Sequence, residues 1–125
     1  MNRPSCMIAE DQILIGLALE AYLEEAGFKV AGLFATNATA LRWLEQCTPD
    51  LALLDVMLAD GQCVLLAREL KRRQVPFAVY SALPSTEDVP PELRGVPWLE
   101  KPARREMVAK TLDDLIMPTL LLRHA

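Results

Sequence analysis

The sequence predicts a doubly wound α/β sandwich on a parallel sheet, and three observations predict it. Five short apolar runs recur at 5–9, 28–33, 51–54, 77–80 and 97–99, each too short for a helix and bounded by polar or turn residues. Segments of helical periodicity separate most of them, which gives an alternating order with crossovers expected to be right-handed. Three carboxylates and a lysine follow runs one, three and five, as Glu10-Asp11, Asp55 and Lys101. A parallel sheet brings such strand ends together on one edge.

The elements follow in order. Over 12–26, Ile15, Leu19, Leu23 and Ala26 share one face with Glu20 and Glu24 opposite, and Gly27 offers a left-handed stop. Asn37 can cap a second helix running to about Cys47, with Leu41 and Leu44 inward and Pro49 preventing continuation. Asp60 or Gly61 starts a third, whose inner stripe is Leu66, Ala67 and Leu70. Between Ser81 and Trp98 the chain carries Pro84, Pro90, Pro91, Pro97 and Gly95, which forbid a long helix. Only a turn or two near 91–94 is expected, with Pro91 at the first helical position and a mobile loop over 83–89 before it. A last helix over 104–116 uses Val108, Leu112 and Leu115, and Pro118 should end it. That leaves one domain over 1–117 and a tail over 118–125.

Composition bounds the function. A chain of 125 residues with 52% hydrophobic residues supports one domain with a sizeable core. A net charge of −4 argues against a nucleic-acid partner, since Lys71-Arg72-Arg73 and Arg104-Arg105 are too short for a basic stripe and suit solvated helix ends. Cys6, Cys47 and Cys63 are odd in number and lack C-x-x-C spacing, so they indicate neither a disulfide framework nor a zinc site. They read as buried thiols in a reducing compartment. No apolar stretch reaches the ~18 residues of a membrane span, and the N-terminus lacks a signal-peptide pattern. The expectation is a cytoplasmic protein with no membrane contact.

Glu10, Asp11 and Asp55 at one sheet edge would repel one another, which raises a pKa or demands a cation. Mg²⁺ suits that need, because it prefers oxygen ligands and leaves room for a phosphate oxygen. A carboxylate can itself attack phosphorus when positive charge stabilises the transferring group. Here Mg²⁺ and Lys101 would supply that charge, and Ser81 could add a hydroxyl hydrogen bond.

Glu10-Asp11 after the first strand, Leu53-Leu54-Asp55 at the third, Ser81-Ala82 after the fourth and Lys101-Pro102 after the fifth together resemble a receiver domain of a two-component response regulator, over about residues 5–117. The resemblance implies a flavodoxin-like (β/α)5 fold with five parallel strands and, in this chain, a short or disordered fourth helix. It implies Asp55 as phosphoacceptor, with Mg²⁺ held by Asp11, Asp55 and the backbone carbonyl of Met57, and by Glu10 through water. Lys101 then pairs with the phosphoryl group, Ser81 is the switch hydroxyl, Pro102 the conformational proline and Trp98 the switch aromatic. Ala59 stands where the family commonly has proline, and Cys63 where glycine is usual; neither removes a ligand. The run 76–81 and the proline-rich loop also resemble a stand-alone receiver subgroup with a modified fourth helix.

The implied partners are a histidine kinase or histidine phosphotransfer protein upstream, and a downstream protein target, or a role as phosphate sink. A homodimer is possible. The first helix is richer in apolar residues than one buried face needs, so Ile13, Leu14 and Leu17 form a candidate docking patch beside the site. Two other readings stand beside this one: a receiver-like interaction module without phosphorylation, and a metal-dependent phosphohydrolase using an aspartyl-phosphate. The latter commonly needs a second acid two residues after the nucleophile, where this chain has Met57.

Overall fold

The structure, a computed structural model, describes residues 3–85 and 88–123, with side chains as far as Met117. Strands β1 (Ser5–Ala9), β3 (Leu51–Leu54) and β6 (Phe77–Ser81) are buried along almost their whole length, as central parallel strands covered on both faces must be. With β2 (Lys29–Phe34) and β7 (Trp98–Glu100) at the edges, they form one sheet in the order β2-β1-β3-β6-β7, every neighbouring pair parallel. This is the flavodoxin-like arrangement, and its topological switch point lies beside β1, where the order reverses.

Each sheet face covers a separate core. On one, Leu19 and Leu23 of α1 (Ile13–Glu25) and Val108, Leu112 and Ile116 of α4 (Arg105–Arg123) pack on Ile8, Leu53 and Ala78. On the other, Ala40 and Leu44 of α2 (Asn37–Leu44) and Leu66, Ala67 and Leu70 of α3 (Val64–Arg72) pack on Met7, Leu54 and Val79. Between β6 and β7 the described residues hold only a single 3-10 turn, Pro91–Leu93, with Pro91 at its first position and Leu93 buried in that second core. The fourth helix is therefore short, as the prolines predict. Residues Thr86 and Glu87 of the expected mobile loop lie outside the described residues.

Helix α1 ends where Gly27 adopts φ of 100°: Gly27 N–H donates to Glu24 O and Phe28 N–H to Leu23 O, at 3.2 and 3.0 Å. These two bonds form a Schellman cap, and they explain why Phe28 is a buried capping contact and β2 starts one residue later than expected. Ala26, expected on the inner face, is exposed, and Gly16 is buried in the stripe instead.

Other boundaries also differ. Thr36, not Asn37, caps α2, its side chain accepting from Thr39 N–H at 3.0 Å, and the helix stops at Leu44 rather than Cys47. Helix α3 starts at Val64 instead of Asp60 or Gly61, because β4 (Met57–Leu58) and β5 (Gly61–Gln62) form a small antiparallel hairpin, with Gly61 at φ of 121°. Pro118 does not end α4, which continues to Arg123. Proline's fixed φ is itself helical, and it removes one rung from a helix already anchored upstream by Val108, Leu112 and Ile116. Cys6 and Cys63 are buried as expected, whereas Cys47 is exposed beyond the end of α2.

Candidate functional site

The sheet itself assembles the acidic edge. Glu10 N–H donates to Phe34 O at 2.8 Å and Asp55 N–H to Ala9 O at 2.9 Å, so the ladders among β2, β1 and β3 extend one residue past the strands and set Glu10 and Asp55 side by side. Lys101 N–H donates to Ser81 O at 2.8 Å and does the same for β6 and β7. All four groups thus stand at the carboxyl ends of parallel strands, where α/β sheets bind ligands.

Lys101 Nζ donates to Glu10 Oε1 at 2.5 Å and to Asp55 Oδ2 at 2.8 Å. Glu10 is 3% exposed and Asp55 8%, while Asp11 reaches solvent. Burial raises the Glu10 pKa despite hydrogen bonds from Lys101 and from Gln12 N–H, the latter at 3.1 Å on Oε2, and the nearby Asp55 charge adds to the rise. For Lys101, burial opposes the charged form, but the hydrogen bonds to Asp55 and Glu10 outweigh it and hold the pKa above the ordinary lysine value. The ammonium also lies 5.5 Å from the centre of the Tyr80 ring.

One carboxylate oxygen from each of Glu10, Asp11 and Asp55 lies within 4.8 Å of the other two. An all-oxygen donor set, half buried and half open to solvent, fits a hard divalent cation that keeps several waters. A cleft of about 240 Å³ opens on this cluster, lined by Asp11, Asp55, Met57, Ser81, Leu83 and Lys101. A reacting group would reach Asp55 through it.

The remaining expected residues fall around the cleft. Met57 is half-exposed, and its N–H points to Asp55 Oδ1 at 3.4 Å. Ser81, the last residue of β6 and not beyond it, is buried, its Oγ accepting from Leu83 N–H at 3.1 Å. Trp98, half-buried on β7, donates its indole N–H to Leu83 O at 2.8 Å. The Lys101–Pro102 peptide is cis. Ile13, Leu14 and Leu17 are 61%, 79% and 48% exposed at the first turns of α1, next to Asp11. At Cys63 the thiol is buried and pushed up to about 12 by that burial.

Four contributors were not legible in the sequence. Tyr80 reads as an interior strand residue, and nothing local sets its ring under the Lys101 ammonium. Gln12 reads as the first residue of a helix, whereas its backbone amide donates to Glu10. Asn37 and Asp60 look like helix starts in the sequence, whereas in space Asn37, at the start of α2, bonds to Asp60 at the turn of the β4–β5 hairpin. The hairpin itself had a signal, since Asp-Gly is a hairpin-turn dipeptide, but the bond to Asn37 had none.

Comparison with known proteins adds to this geometry. The family model described as the response regulator receiver domain matches residues 6–113. The phyllosphere-induced regulator PhyR of Methylorubrum extorquens is 38% identical over 81 residues, which cover 62% of this chain and 30% of that protein. The chain spans about a third of the length of the curated relatives it matches. Among solved structures, the receiver domain of Erythrobacter litoralis PhyR superposes with a TM-score of 0.79 at 30% identity, covering 93% of this chain and 92% of that one. The receiver domain of the Pseudomonas aeruginosa sensor histidine kinase PA1611, solved with a magnesium ion in its active-site cleft, shares the fold at 24% identity and a TM-score of 0.79, covering 92% and 98%.

Proposed function

This chain belongs to the response regulator receiver domain family of two-component signalling, and we propose that within it Asp55 accepts a phosphoryl group from a phosphohistidine. The observation that carries this reading is the convergence of Glu10, Asp11, Asp55 and Lys101 on one open cleft at the carboxyl edge of the sheet. In the transfer, a bond forms between an Asp55 carboxylate oxygen and phosphorus as the phosphorus–nitrogen bond of the donor histidine breaks. The electron pair of that bond leaves with the imidazole.

Each residue has a separate task. Asp55 is the nucleophile, held by its backbone bond to Ala9 and oriented by Lys101. Lys101 stays protonated across the physiological range, because its pKa is raised, and its ammonium can follow charge from the free carboxylate to the phosphoryl oxygens. Asp11, Asp55 and the Met57 carbonyl would hold Mg²⁺, with Glu10 acting through water. The ion supplies charge neutralisation on the phosphoryl oxygens when bound. Ser81 Oγ is buried beside the cleft and can rotate to donate to a phosphoryl oxygen, at the expense of the bond it accepts from Leu83.

The donor is a histidine kinase or phosphotransfer protein, docking on Ile13, Leu14 and Leu17 beside Asp11. The side chain of Met57 where a hydrolase would commonly carry a second acid favours a phosphoacceptor over a phosphohydrolase. A cytoplasmic setting agrees with this role, and no helix among the described residues is long and apolar enough to cross a membrane. Labelling from a small phosphodonor and from a phosphorylated phosphotransfer protein tests the reading. Both should phosphorylate the chain with Mg²⁺ present, and Leu14→Asp should slow only the protein donor. Failure with both donors refutes phosphoacceptance, and equal slowing of both refutes the docking patch.

A further inference from the structure

The loop that carries Met57 is tied to a helix on which none of the proposed site residues stands. Asp60, at the turn of the β4–β5 hairpin, accepts from Asn37 N–H at 2.8 Å on Oδ1 and from Ala38 N–H at 3.1 Å on Oδ2. It thereby places a carboxylate on the first amides of α2, where both the free N–H groups and the helix dipole favour it. These bonds hold the Asp60 pKa below its ordinary value, the Asn37 backbone bond contributing most. Asn37 completes the clasp in the other direction. Its side-chain amide donates to Asp60 Oδ1 at 3.1 Å, to Gly61 O at 3.4 Å and to Gln62 O at 3.0 Å.

Two features show that the amide orientation is dictated by the hairpin. A flipped Asn37 would set its oxygen against a carboxylate and two carbonyls, all acceptors. In the orientation adopted, Oδ1 is buried without a hydrogen-bond partner, which costs stability, so the donors must recover more than that acceptor loses. The restraint reaches the site in one step. Gln62, whose carbonyl Asn37 holds, is paired with Met57 in the hairpin ladder, and Met57 N–H faces Asp55 Oδ1. Two more bonds complete the frame, from Ala59 N–H to Ala35 O at 3.0 Å and from Cys63 N–H to Val56 O at 2.8 Å.

We infer that Asn37, braced by Asp60, is a positioning residue for the Met57 peptide and so sets the affinity of the site for a divalent cation. This rests on the reading that the Met57 carbonyl is a metal ligand. Groups that orient ligands without touching the metal typically govern its affinity by roughly 10–100-fold. Asn37→Ala removes the side-chain donors and leaves the backbone bond to Asp60, whereas Thr36→Ala removes the cap of α2 and touches no part of the hairpin.

The test is Mg²⁺ titration of the folded chain and both variants by calorimetry and by the amide resonances of Met57 and Gln62. Asn37→Ala should weaken Mg²⁺ binding about tenfold and shift both resonances in the metal-free protein. Thr36→Ala should lower the melting temperature with Mg²⁺ affinity unchanged. If Asn37→Ala does not fold, Asp60→Asn, which keeps one acceptor and loses the charge, should weaken Mg²⁺ binding measurably, in the same direction. Equal Mg²⁺ affinity in parent and hairpin variants, or an equal loss in Thr36→Ala, overturns the inference while leaving the metal site standing. A parent chain that binds no Mg²⁺ overturns the metal site itself, and the inference with it.

Discussion

The indole N–H of Trp98 donates to the carbonyl of Leu83, whose own N–H donates to Ser81 Oγ, so one residue joins the hydroxyl at the acidic cleft to the aromatic on the edge strand. Leu83 also lines both the acidic cleft and an adjoining, more apolar one of about 240 Å³ that includes Val56, Pro84, Val89 and Trp98. A turn of Ser81 toward a phosphoryl group would release the Leu83 amide and with it the support of Trp98. In a Trp43→Phe background Trp98 is the remaining indole, and its emission should change when Mg²⁺ and beryllium fluoride occupy the site. Ser81→Ala should suppress that change. An emission spectrum insensitive to the analogue would mean that the signal leaves by another surface.

Glu10 gives the metal-free chain a signed pH dependence. Its pKa is raised in the folded state above the ordinary 4.5, so above that value the folded chain binds more protons than the unfolded one. Stability therefore falls as pH rises through the window between the two pKa values, and the contribution is fully present only below the unfolded one. Glu10→Gln imitates the protonated form and should flatten the unfolding free energy from pH ~4.5 toward neutrality in the presence of a chelator. A variant whose profile runs parallel to the parent's would contradict this assignment.

Removing the Lys101 ammonium should separate folding from chemistry. Lys101→Met keeps an unbranched apolar side chain but loses the ammonium, with its place over the Tyr80 ring and both ionic hydrogen bonds. Phosphorylation by a small donor should slow by at least ~100-fold, the scale of losing one stabilising donor at a site of developing charge. Circular dichroism should remain that of a folded chain. Unchanged labelling would remove Lys101 from the mechanism.

The 3-10 turn that stands in for a fourth helix has one buried anchor, Leu93, in the core with Leu66, Ala67 and Leu70. Arg68 and Glu92 add only an exposed ion pair at 2.9 Å. Leu93→Ala should therefore cost about 2–5 kcal/mol in urea unfolding, and Arg68→Ala less than about 1 kcal/mol. The reverse ranking would mean that the turn is held electrostatically.

The strands were legible because apolar runs such as 51–54 and 77–80 leave no amphipathic alternative, and the meeting of the acids at their ends followed from parallel topology. Gly27 and the prolines between Ser81 and Trp98 were equally readable, since each acts through its own backbone chemistry. What escaped depended on distant partners. Asp60 resembles a helix start in sequence, but in space it serves the first amides of α2, and nothing local announces that pairing. Pro118 shows the converse, a strong local signal overridden by a helix already packed along Val108, Leu112 and Ile116.

The central claim is that Asp55 is the phosphoacceptor, and intact-mass measurement tests it most directly. After incubation with Mg²⁺ and a small phosphodonor, the parent chain should gain one phosphoryl group, and folded Asp55→Asn should gain none. Labelling of Asp55→Asn to the same extent, or no labelling of the parent together with no response to beryllium fluoride, would contradict the account.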